Sequence, residues 1–315
     1  MFIIHLLALL LSIAVLVWGA DKFVDNSSLL AKNLGMSELA IGLTIVALGT
    51  SAPEIFVGIS SVINNSEELA MGAVVGSNIS NIALIFGVSC IGISIKPSKT
   101  ALIQFLPFFL GAILLGLSLQ DLRISTNESV LFVLLFFIFL YITYKFRSSE
   151  NLNEQFEKNI EIKGTLLFLT IGLMALIGGS HFAVIHAEIL AKMLNVPQLI
   201  IGLTIIAIGT SLPELAATVS AISKNKNDMV IGNVIGSNVM NIALVVPIIG
   251  FFSNTTLHAS IYTRDFFVMF VASILFIIVA SMYSSKLFGI KTIKLIGCVF
   301  VLGYLGYILN ISNLI

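Results

Sequence analysis

The sequence predicts an all-α membrane protein of ten transmembrane helices, arranged as two inverted five-helix repeats. Composition supplies the first reason. Of 315 residues 58% are apolar and 10% charged, with a mean hydropathy of +1.08, too hydrophobic for a soluble domain of this length. Duplication supplies the second: residues 41–54 read IGLTIVALGTSAPE and residues 201–214 read IGLTIIAIGTSLPE, identical at eleven of fourteen positions. Residues 72–84, GAVVGSNISNIAL, answer residues 232–244, GNVIGSNVMNIAL, at the same offset of 160. The number of apolar stretches supplies the third, because five per half is odd and obliges the second copy to enter the bilayer in the opposite sense.

Taken in order, apolar stretches of spanning length fall at about 2–20, 37–63, 69–95, 101–120, 128–145, 164–182, 197–222, 229–252, 265–283 and 293–310. The first has the hydropathy of a leader peptide, but no Lys or Arg precedes it and its end belongs to the repeat: Gly19 aligns with Gly179, and LLAK at 29–32 with ILAK at 189–192. It is therefore read as a spanning helix. The GxxxG pairs Gly72–Gly76 and Gly232–Gly236 on the third and eighth spans read as sites of close helix packing. Cys90 and Cys298 lack CxxC spacing and read as packing residues. His181 and His186, whose repeat counterparts are Asp21 and Asn26, sit near the end of the sixth span, where an interfacial or packing role outweighs a metal site. The polar stretch 146–163, FRSSENLNEQFEKNIEIK, divides the chain into a first five-helix repeat (1–145), a hinge loop and a second repeat (164–315).

Lys and Arg fix the expected orientation. With the N-terminus outside, thirteen of the sixteen fall on the cytoplasmic side, and only Arg123, Lys192 and Arg264 fall outside. By the positive-inside rule both termini are expected outside and the 146–163 loop in the cytoplasm. The sixteen acids balance the sixteen bases, which argues against nucleic-acid binding and against a polybasic lipid anchor.

Of those acids, only Glu54 and Glu214 lie well inside apolar spans. An ionisable group at that depth costs at least a few kcal/mol and needs a partner or a function; no Lys or Arg shares the depth. Pro53 and Pro213 each precede the acid and lack the N–H that would bond the carbonyls of Gly49 and Gly209, so a break or kink is expected there. Thr50 and Glu54, Thr210 and Glu214, Ser77 and Asn81, and Ser237 and Asn241 are each four residues apart and share a face wherever helix persists. Each half thus offers one carboxylate, several hydroxyls, an amide oxygen and loosened carbonyls. These hard oxygen donors suit Na+ or Ca2+ and poorly suit zinc or copper. Singly, such Ser, Thr and Asn residues often bond helix to helix; their recurrence in both halves is what points to an ion site.

The GTSAPE and GTSLPE segments, each followed by GSNxxN, resemble the paired alpha-repeats of the sodium/calcium exchangers in the cation/Ca2+ antiporter superfamily, above all its compact prokaryotic members. The resemblance covers essentially the whole chain. It implies that Glu54 and Glu214 coordinate Ca2+ with the backbone carbonyls of Thr50 and Thr210. It implies flanking Na+ sites formed by the carbonyls of Ala47 and Ala207 with Ser51, Ser77, Ser211 and Ser237, and a centre completed by Asn81 and Asn241. It also implies that the first and sixth spans slide past the rest to alternate access. Many exchangers carry Asp at one of the positions matching Asn81 and Asn241, where this chain has Asn at both; the number of ions and the choice of Na+ or H+ as driving ion therefore stay open.

The expected function is secondary antiport of Ca2+ against Na+, with Ca2+/H+ antiport as the alternative, since two carboxylates can trade one Ca2+ for two protons. A cation channel fits less well, because paired carboxylates in inverted halves suit an occluding site more than an open pore. A hydrolase is not expected: Ser51 and Ser211 have no adjacent base and no GxSxG setting. The expected partners are membrane lipid and the transported ions, with no cofactor, no nucleic acid and a monomer as the functional unit.

Overall fold

The computed structural model describes residues 1–92, 100–147, 162–196, 209–253, 256–284 and 289–311. Among these residues every regular element is a helix, as hydrocarbon demands, because a helix satisfies its backbone N–H and C=O groups within itself. The first half contributes α1 (Phe2–Asn33), α2 (Glu38–Thr50), α3 (Ala52–Ile63), α4 (Glu67–Gly92), α5 (Leu102–Asp121) and α6 (Thr126–Lys145). The second contributes α7 (Ile162–Met193), α8 (Leu212–Ser223), α9 (Asn227–Phe252), α10 (Ile261–Tyr283) and α11 (Ile290–Ile311). Eight of these helices are long and apolar enough to cross a membrane, and the α2–α3 pair, bent by 48°, makes a ninth. Of the expected span at 197–222, residues 197–208 lie outside the described residues, as does most of the 146–163 hinge.

The backbone repeats as the sequence does. Gly35 and Asn195 adopt left-handed φ values of 64° and 57°, and Asn65 and Asn225 values of 54° and 59°. Each pair is 160 residues apart and closes equivalent helices, where Gly and Asn are the residues that tolerate this conformation. Two long backbone bonds tie connections together at the bundle's ends: Ser37 N–H donates to the Arg147 carbonyl, and Leu257 N–H to the Leu122 carbonyl, each at 2.7 Å.

Helices α1 and α7 each run 32 residues, about 48 Å at 1.5 Å per residue and well beyond a hydrocarbon core of about 30 Å. They end at Asn33 and Met193 rather than at 20 and 182, where the apolar stretches stop. The reason in α1 is a set of ion pairs that supports its polar end. Lys224 Nζ lies 3.2 Å from Asp21 and 2.9 Å from Asp25, and Lys226 Nζ lies 3.2 Å from Asp25. Ser220 of α8 donates to Asp21 as well.

Small residues set how the helices cross. A Cβ placed on Gly19 would lie 2.5 Å from the Leu176 nitrogen, one on Gly172 2.7 Å from the Phe23 nitrogen, and one on Gly179 2.6 Å from the Leu16 nitrogen. The numbers rise on α1 as they fall on α7, so the two helices pack antiparallel with their backbones in contact. A second crossing joins α2 to α9 in parallel. There a Cβ on Gly232 would lie 2.4 Å from the Leu39 carbonyl oxygen, and one on Gly236 2.5 Å from that of Leu43. Among the described residues nothing lies within 4 Å of a Cβ on Gly72 or Gly76; the repeat counterpart of the α2 segment that packs on Gly232 and Gly236 falls in 197–208. Away from these crossings, α4, α5 and α10 meet around Phe276, whose ring packs edge-on against Phe86, Phe105 and Phe108, while Phe300 of α11 packs edge-on against Phe86.

Replacing Gly232 or Gly236 by Ala should destabilise the protein by roughly 1–3 kcal/mol through overpacking against backbone that has no room to yield. Gly306→Ala, with no atom within 4 Å of its Cβ, should be neutral. Thermal unfolding of the three variants in detergent checks this; equal midpoints would mean that the α2–α9 contact is looser than described.

Candidate cation site

Both acids stand at the start of a helix. Helix α2 ends at Thr50, Ser51 takes φ −83° and ψ 2°, and α3 begins at Ala52 with Pro53 and Glu54 in its first turn. The second half does the same: Ser211 takes φ −92° and ψ 7°, and α8 opens with Leu212, Pro213 and Glu214. Proline is accommodated in a first turn because the N–H it lacks would have no helical partner. A carboxylate there meets free backbone N–H groups and the positive end of the helix dipole. Thr50 and Glu54 therefore sit on opposite sides of the break, not on one continuous helix. Facing them, α4 widens into a π-helical turn at Ser80–Phe86 and α9 at Asn241–Val245, each directly beyond its GSN motif. Such turns mark places where a helix re-aims its side chains.

The two acids are buried, at 4% exposure for Glu54 and 1% for Glu214, and act on each other electrostatically. Ser51 Oγ donates to Glu214 Oε1 at 3.0 Å, joining the first half's break to the second half's acid. Thr50 Oγ1 donates to the Val46 carbonyl at 3.0 Å and reaches Asn233 Oδ1 at 3.2 Å. Ser237 Oγ shares that amide oxygen at 3.4 Å. Asn241 Nδ2 donates to Asn78 Oδ1 at 3.4 Å, and Asn238 Nδ2 to the Val234 carbonyl at 2.6 Å. Asn78 Nδ2 donates to Met269 Sδ at 3.7 Å, and Asn81 Nδ2 is the one amide donor of this group buried without a partner. Otherwise oxygens are what remain: both of Glu54, Oε2 of Glu214, Oδ1 of Asn81, Asn238 and Asn241, and Oγ of Ser211 are buried without a hydrogen-bond partner.

That donor set fits a hard cation. Two buried carboxylates with three of their four oxygens unpartnered are costly in a low-dielectric interior, and a bound Na+ or Ca2+ both neutralises them and supplies the missing contacts. Among the described residues no three His, Cys, Asp or Glu side chains come together, so the site offers nothing of the kind that zinc or copper prefers.

Of the residues singled out in the sequence, Thr50, Ser51, Glu54, Asn81, Ser211, Glu214, Ser237 and Asn241 are buried at these two breaks and on the facing helices α4 and α9, as is Ser77, while Thr210 precedes α8. The Ala47 carbonyl accepts from the Ser51 amide at 3.0 Å and, at the longer distance of 3.4 Å, from Thr50 Oγ1. Ala207 lies outside the described residues. The Gly209 carbonyl, expected to be loosened by Pro213, accepts from Ser180 Oγ of α7 at 3.2 Å. Sequence reasoning passed over three further polar residues here. Asn78 and Asn238 lie inside the GSN motifs themselves. Asn233 was detectable because its repeat counterpart is Ala73, so an amide was gained in the middle of an apolar helix where it needs a partner.

The chain matches the family model for "Sodium/calcium exchanger protein" over residues 4–145 and 164–312. It belongs to the sodium/calcium exchanger family. Family relatives include the sodium/calcium exchanger MaX1 of Methanosarcina acetivorans, 31% identical over 80% of this chain and 84% of that one. The putative antiporter CaxA of Alkalimonas amylolytica is 34% identical over 95% of both chains. Among solved structures, the sodium-calcium exchanger NCX_Mj soaked with Na+ and Sr2+ superposes with a TM-score of 0.81 at 30% identity, covering 97% of this chain and 98% of that one. As a member of this exchanger family the protein is a multi-pass membrane antiporter that transports ions.

Ser51→Ala removes the hydroxyl that donates to Glu214 Oε1. A hydrogen bond to a charged group contributes about 1.5–3 kcal/mol, so apparent cation affinity in this exchanger should change by roughly ten- to a hundredfold, read by ion titration of the purified protein. An affinity unchanged from wild type would mean that this contact plays no part in holding the ion.

Proposed function

We propose that the protein exchanges Ca2+ for Na+ by alternating access, with Glu54 and Glu214 holding Ca2+ between two inverted five-helix repeats. The observation that carries this is the pair of buried carboxylates, each in the first turn of a helix that starts at a break, surrounded by unpartnered oxygens and, among the described residues, with no ion pair to a basic side chain. A Ca2+ ion balances two carboxylates in charge, and its six to eight oxygen ligands correspond to the carboxylates with Ser211, Asn81, Asn241 and the carbonyls at Thr50 and Thr210. The carbonyls of Ala47 and Ala207, with Ser51, Ser77, Ser211 and Ser237, are the proposed Na+ donors.

The inverted arrangement is supported by the antiparallel packing of the repeat counterparts α1 and α7, by the parallel packing of α2 on α9, and by a family match in two pieces, 4–145 and 164–312. An exterior location for both termini is supported by the distribution of Lys and Arg and by the Ser37–Arg147 bond, which places the α1–α2 turn and the start of the 146–163 loop on one side. Ser149→Cys should accordingly resist an impermeant thiol reagent added to intact cells and react in opened membranes; labelling of intact cells would invert the orientation.

Proteoliposomes loaded in turn with Na+, K+ or a proton gradient test the exchange. Ca2+ uptake should require internal Na+. Uptake driven by protons alone would transfer the reading to Ca2+/H+ antiport. Glu54→Gln and Glu214→Gln should each reduce exchange to background while eluting as a folded monodisperse protein, because neutralising an acid weakens the cation site and relieves its desolvation when empty. Exchange retained in either variant would move the site elsewhere.

A further inference from the structure

We infer that His5 and His186 form a second cation site, for a divalent transition metal of the zinc class, that links α1 to α7. The two imidazoles come from opposite ends of the chain and meet where the N-terminal end of α1 lies beside the C-terminal end of α7. Their Nδ1 atoms are 3.2 Å apart, with ring centroids at 5.3 Å and planes inclined by 46°. Two imidazole nitrogens on one tetrahedral zinc, each at 2.0–2.1 Å, stand about 3.3–3.4 Å from each other. The two Nδ1 atoms share a hydrogen bond whose length is already close to ligand spacing, so a metal that displaces its proton enters with little movement of either helix.

The chemistry is the opposite of the carboxylate site. Imidazole nitrogen selects borderline metals such as Zn2+ and Ni2+ over Ca2+, Mg2+ and Na+, so the transported ions do not compete for it. Both rings are half-buried. One turn further along α7, the Glu188–Lys192 ion pair at 2.6 Å marks the polar boundary of the bundle, which gives water access. Among the described residues no third His, Cys, Asp or Glu joins the pair; water completes the coordination, as suits a reversible regulatory site more than a structural one.

The repeat makes this site one-sided. Adding 160 to His5 and subtracting it from His186 leads to Thr165 and Asn26, so the equivalent position at the far end of the α1–α7 pair carries no metal-binding side chains. Between the two ends the helices touch backbone to backbone at Gly19, Gly172 and Gly179. A metal at His5 and His186 ties this pair together at one end and so, on the alternating-access reading, makes α1 and α7 move past the rest of the bundle as one unit.

A binding titration tests the site. In detergent, calorimetric titration with Zn2+ should show saturable binding that weakens at least tenfold in both His5→Asn and His186→Asn, with the double variant no worse than either single one and Mg2+ silent. Zn2+ binding that is absent in the wild type, or unaltered by the substitutions, overturns the site. His-dependent binding by a protein that exchanges no ions would uphold the metal site while removing the function proposed above.

Discussion

Two carboxylates buried together in an apolar bundle, with every Lys and Arg at a span end or in a connection, set a constraint that the surrounding structure answers step by step. Neither acid can be neutralised by a basic side chain at its own depth, so each is placed in the first turn of a helix, where backbone N–H groups and the helix dipole favour negative charge. That placement requires a break in mid-membrane, and a break leaves backbone groups that lipid cannot satisfy. Ser180 meets one of them at the Gly209 carbonyl. Ser51 spans the two breaks by donating to Glu214.

The breaks in turn depend on close neighbours, and glycine provides them. Because Gly232 and Gly236 let α9 lie directly on the backbone of α2, Asn233, Ser237, Asn238 and Asn241 are carried to the level of the acids. A side chain of any size at Gly232 would separate the helices and withdraw that row of amides. Ion chemistry and helix packing are here one problem, since an amide is useful as an oxygen donor only if its N–H groups are bonded elsewhere, as those of Asn241 and Asn238 are to Asn78 and the Val234 carbonyl.

The two halves are nearly identical at the site and diverge at its periphery. An ion shared between the halves needs equivalent donors from both, which preserves GTSxPE and GSNxxN twice. The ends of α1 and α7 meet different compartments and carry different groups. Asp21 and Asp25 on α1 pair with Lys224 and Lys226, whereas the corresponding positions on the other side are His181, Ile185, Asn64 and Ser66. One end of α1 is therefore held by charges to the α8–α9 connection and the other by a pair of imidazoles to α7.

The sequence by itself determined the features that are local in the chain. Hydropathy marked the spans because lipid tests each residue singly, the two prolines marked the breaks because a missing N–H acts within one turn, and the two mid-span acids stood out against an uncharged background. The duplication was legible as plain identity at an offset of 160. Tertiary structure decided which groups meet. That α1 continues to Asn33 follows from Lys224 and Lys226 lying across from it; that Thr50 turns toward Asn233, that Ser180 takes up the Gly209 carbonyl and that His5 finds His186 follow from how each helix is rotated and shifted against its neighbour. Rotation and shift are set by small-residue contacts such as Gly19 with Gly172, between positions far apart in the chain, and a one-dimensional pattern of polar and apolar residues does not encode them.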